Sequence, residues 1–82
     1  MSRFYGFDKF QPGDTVLIAS RELLEEFARS WRFHHPLEPD QLLYSGQAAK
    51  VSTSLMYHGG DILYQLEGVP GIWHQQLLSL PV

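Results

Sequence analysis

The stretch YHGGDILYQLEGVPGIWHQQLL, Tyr57 to Leu78, sets four glycines and a proline among short apolar runs. Glycine reaches positive φ without steric cost, and Pro–Gly suits the central pair of a type II turn. HGGD and GVPG, the latter with Pro70 and Gly71 at its centre, therefore each predict a reversal of the chain. Between them, ILYQLEG alternates, with Ile62, Tyr64 and Leu66 on one face, the two-residue period of a strand. A chain reversed this often over so few residues folds as short antiparallel strands.

The same period runs upstream. QAAKVSTSLMYH alternates weakly and predicts a strand with Ala49, Val51, Thr53 and Leu55 on one face. TVLIAS, Thr15 to Ser20, follows a Pro12–Gly13 turn and reads as the first strand. Between these two the period changes. In SRELLEEFARSW, Leu23, Leu24, Phe27, Ala28 and Trp31 fall at helical spacing, and Ser20 stands where an N-cap belongs. Glu22 in the first turn and Arg29 and Arg32 near the end match the helix dipole, so a helix is predicted over 21–32, stopping before HHP. Pro39 suits the first position of a short helical turn in the loop that follows. IWH begins a further strand, QQLL predicts one helical turn, and SLPV closes the chain.

Eighty-two residues support one hydrophobic core, so 1–82 reads as a single domain with residues 1–10 as an N-terminal extension. With no cysteine, disulfides, thiol catalysis and cysteine-bound metal are excluded. MSRFYGFDKF lacks the apolar run of a signal peptide and no segment is long and apolar enough to span a bilayer, so a soluble cytoplasmic protein without membrane contacts is expected. Nucleic acid is a poor partner: the net charge is −3, the six Lys and Arg are scattered, and none follows Lys50.

Five short strands with tight connections and one inserted helix predict a mainly β fold, a small barrel that removes exposed edges by closing on itself. PGDTV at Pro12–Val16, Gly46 and Val51 ahead of a hairpin, and Trp73 with Leu77 and Leu78 after it resemble a Src-homology-3 (SH3)-like barrel. More narrowly, they resemble the repeats of the mind bomb and keep-on-going ubiquitin ligases, which open on GD-x-V and end in a W-x-x-x-x-L-like phrase. That resemblance spans Phe10 to Leu80 and implies a domain that binds peptide segments of other proteins. FHHP, Phe33 to Pro36, with a glycine ten residues on, resembles the variable subunit of ferredoxin–thioredoxin reductase, which implies an accessory role; the helix between Ser20 and Trp31 is longer than that family's spacing allows.

Histidines 34, 35, 58 and 74 are the candidates for chemistry. A zinc site needs three or four converging ligands, and adjacent His34 and His35 in extended chain point apart, so no metal or other cofactor is expected. Ser52, Thr53 and Ser54 sit in a predicted strand without a catalytic motif, and Asp61 next to two glycines reads as a turn residue rather than as an acid–base partner of His58. The chain is therefore expected not to be an enzyme. Trp31 and Tyr64 are expected in the core. Tyr57, His58, Trp73 and His74 flank the turns with an apolar body and a polar tip, which suits the walls of a peptide groove. The expectation is a non-catalytic protein- or peptide-binding module that can serve as an accessory subunit of a larger complex. The alternatives are a small-molecule or metal-binding protein using His58 and His74 with Tyr57, or a structural homo-oligomer.

Overall fold

The computed structural model describes residues 9–57 and 60–81. It is mainly β with one α-helix. Strand β1 (Thr15–Ile18) is followed by helix α1 (Arg21–Ser30), a 3₁₀ segment (Pro39–Tyr44), strands β2 (Ala48–Met56), β3 (Ile62–Leu66) and β4 (Val69–His74), a 3₁₀ turn (Gln75–Leu77) and β5 (Leu78–Ser79). The antiparallel strands form one open sheet in the order β4-β3-β2-β1-β5. No helix among the described residues is long and apolar enough to cross a membrane.

Local chemistry explains the boundaries. The Ser20 hydroxyl accepts from the Leu23 N–H and caps α1, as its position predicts. Pro39 opens the 3₁₀ segment, where a missing N–H costs nothing. The helix ends at Ser30, two residues early, and Trp31 continues in extended conformation while its N–H closes the last turn on Phe27. Of the predicted apolar stripe only Leu24 and Phe27 are buried; Leu23 is largely exposed. Two buried residues in ten are fewer than one per turn, so this short helix presents only a narrow edge to the core.

Two features of the second half differ from the sequence pattern. The last hairpin turns at Glu67–Gly68, because Leu66 pairs with Val69 and Gly68 takes φ +72°; Pro70 and Gly71 lie inside β4. Proline fits there because β4 is an edge strand and owes no N–H to a further neighbour. Strand β2 also carries an extra residue: Val51 pairs with Leu66 but Thr53 with Gln65. This bulge at Ser52 resets the two-residue phase. Val51 faces inward with Leu66, whereas Thr53 pairs with exposed Gln65, and Leu55 lies opposite Leu63 rather than on the face of Val51.

The core gathers Phe10, Val16, Ile18, Leu24, Phe27, Val51, Ile62, Tyr64, Leu66, Trp73, Leu77 and Leu78. Phe10, in the expected extension, is a core residue, its ring edge-on to Tyr64 with centroids 5.4 Å apart. Leu63 is buried on the opposite face of β3, beside its partner His74.

The 3₁₀ segment docks on β4 through one side chain. Gln41 is buried, donates from Nε2 to the Ile72 carbonyl at 3.1 Å and accepts from the Glu38 N–H at 2.8 Å. Beneath it, Gly71 has φ +91°, and a Cβ there would stand 2.6 Å from Gln41 Nε2. Gly71→Ala is therefore expected to cost about 2–4 kcal/mol, from backbone strain and loss of the amide's hydrogen bonds. Adding Gln41→Ala should cost less than the two single changes summed, because the clash is already gone. Thermal unfolding of the four-member cycle measures this coupling.

Candidate functional site

The loop after α1 doubles back onto the β2–β3 hairpin through its aromatic and imidazole rings. Trp31 stacks on Phe27 of the helix, with centroids 5.1 Å apart, and its indole N–H donates to the His34 carbonyl at 2.7 Å. His34 Nε2 donates to Asp61 Oδ2 at 2.6 Å, and its ring stacks on Tyr57 at 3.8 Å and 16°. A carboxylate can only accept, so the proton of that bond belongs to His34. On its other side His34 Nδ1 lies 2.8 Å from His35 Nδ1, and one proton lies between them. The sequence argument that neighbouring histidines diverge fails because His35 takes φ +51°, a left-handed conformation that turns its ring back.

His74 sits beneath this loop. It is buried, with ring centroids 4.8 Å from both Phe27 and Trp31, and its Nε2 donates to the His35 carbonyl at 2.9 Å. Burial holds its imidazole below the ordinary histidine range, outweighing the opposing pull of the His35 carbonyl. The neutral ring therefore carries its hydrogen on Nε2, leaving Nδ1 as a bare acceptor.

A cleft of about 320 Å³ opens alongside, lined by Lys9, Trp31, Asp61, Ile62, His74 and Gln75 among others. Lys9 is held there by its backbone N–H, which donates to Gln75 Oε1 at 2.9 Å; the Tyr64 hydroxyl donates to the same oxygen.

Of the four expected groove residues, Tyr57 is partly exposed and stacked on His34, and His58 lies outside the described residues. Trp73 and His74 are neighbours on a strand and face opposite ways. Trp73 is wholly buried in the core, its indole N–H on the Pro70 carbonyl at 3.1 Å, and walls no exposed groove. Sequence reasoning counted His34 among the candidate histidines but left it out of the expected groove, and it missed the exposed Phe33 and the pairing of Asp61 with His34. The signal was the consecutive histidines before a proline, whose orientation depends on one left-handed residue. Trp31, expected in the core, is half-buried at its margin. Among the described residues, no three histidine, aspartate or glutamate side chains converge to hold a metal ion.

No family model, curated protein or solved structure matches the chain.

The depressed basicity of His74 has a signed consequence. The unfolded chain binds the proton at about pH 6.5 and the folded chain only at lower pH, so this contribution to stability is complete above 6.5 and is lost as pH falls below it. The melting temperature should fall between about pH 7.5 and 5.5, above the range where most carboxylates titrate. His74→Gln, which keeps a donor for the His35 carbonyl, should melt lower at both values but fall less between them. Equal slopes by circular dichroism would show that the buried ring is not the titrating group.

Proposed function

We propose that the chain is a non-catalytic binding module of the SH3 type that takes an extended peptide segment of a protein partner against Trp31, Phe33, His34 and Tyr57. The SH3-type reading is supported by the strand order, by β2 serving both the β5-β1-β2 and β2-β3-β4 halves, and by the 3₁₀ turn leading into the last strand.

The observation that carries the binding role is a set of aromatic rings fixed in the open. Phe33 is 69% exposed yet stands edge-on to Trp31 with centroids 5.1 Å apart, and Tyr57, 38% exposed, is stacked on a histidine bonded to Asp61. Rings already held by neighbours lose little freedom on binding, which is why such residues dominate recognition surfaces. Lys and Arg are absent after Lys50, so the part of this surface drawn from the hairpin meets a partner through rings, amides and carboxylates.

A peptide library displayed on phage and selected against the intact chain tests the reading. Selected peptides should bind Phe33→Ala and Tyr57→Ala at least about tenfold more weakly than wild type, a loss typical of a central aromatic contact. Both side chains are partly or largely exposed, so the variants should keep the wild-type circular dichroism. Peptides that ignore both substitutions, or a selection that enriches nothing, would remove the proposal.

A further inference from the structure

His74, on the wall of the cleft beside this surface, carries a ring nitrogen that has no hydrogen-bond partner among the described residues. His74 is 4% exposed, its Nε2 is committed to the His35 carbonyl, and its Nδ1 makes no hydrogen bond with any described residue. A buried acceptor left unpaired costs roughly 1–3 kcal/mol, so its place on the wall of a cleft favours a ligand that brings a donor to it. The same cleft holds an opposite pair of charges, the Asp61 carboxylate, oriented by His34 through Oδ2, and Lys9, tethered at its backbone to Gln75. Trp31 and Ile62 supply an apolar wall.

We infer that this cleft is a site for a small zwitterion, an α-amino acid held with its ammonium on Asp61 and His74 Nδ1 and its carboxylate on Lys9. Each charge of the ligand then meets its opposite, and the bare imidazole nitrogen gains the N–H it lacks. An apolar side chain of the ligand lies on Trp31 and Ile62. A cleft of about 320 Å³ is at the small end of ligand sites, which matches a single amino acid rather than a nucleotide or cofactor. The site goes beyond the peptide-binding role and does not depend on it.

The probe is leucine, titrated into the full chain labelled with nitrogen-15 and compared with leucinamide and N-acetyl-leucine. The reporters are the His74 ring nitrogens and the Trp31 indole N–H. Leucine should give saturable shifts at both, with a Kd of about 1 mM, as befits so small a ligand. N-acetyl-leucine, with no ammonium, and leucinamide, with no carboxylate, should each bind at least about tenfold more weakly. Lys9→Gln keeps the backbone tether and should weaken leucine about tenfold while leaving leucinamide unchanged. N-acetyl-leucine equal to leucine would make the cleft a merely apolar depression and overturn the assignment. Leucinamide equal to leucine would overturn it in favour of a peptide amino terminus. Absence of saturable shifts with leucine at about ten times that concentration would end it outright. The selected peptides and these small probes are scored separately, so either reading can fail alone.

Discussion

The burial of one neutral histidine ties the molecule together. His74 leaves β4 on the face opposite Trp73, fits against Phe27 of the helix and Trp31 of the loop, and donates to the carbonyl of His35. The end of the helix and the loop that follows it thus meet the distant strand β4 on one ring. The ring is aromatic enough to pack with its neighbours and polar enough to donate to a backbone carbonyl. A phenyl ring would leave that carbonyl unpaired, and an aliphatic amide would lose the aromatic contacts. Because the loop is pinned here, His34 is carried to Asp61 and Tyr57, and the exposed rings acquire fixed positions.

Much of the fold was legible because it depends on local chemistry. Ser20 caps a helix, Pro39 starts a 3₁₀ segment, and Ile62, Tyr64 and Leu66 share a buried face, each for reasons acting within a few residues. The errors arose where the outcome is set by strand pairing. Pro70–Gly71 resembles a turn in isolation, but pairing of Leu66 with Val69 places the reversal three residues earlier and leaves the proline on an edge. The alternation of β2 reads continuously through Ser52, but an unpaired residue there exchanges the two faces, and periodicity alone does not reveal it.

The site was less legible than the fold. Trp73 and His74 are adjacent and amphipathic, and sequence treats them alike. Strand geometry sends one to the core and the other to the cleft. Asp61, next to glycine, has the composition of a turn, and its partner stands twenty-seven residues away in the loop after the helix. Such contacts join loops, and no repeat or period announces them.

The edge of β4 has a consequence for how this chain behaves in a crowd of its own copies. Pro70 offers no N–H, Gly71 sits under the Gln41 side chain, and the Ile72 carbonyl is already taken by the Gln41 amide. The other outer strand, β5, spans only two residues, with Pro81 shortly after it. An arriving strand therefore finds a blocked ladder on one side and almost none on the other, the features that keep open sheets from templating fibrils. A sheet that does not close on itself is protected at its margins by a proline, an amide and brevity.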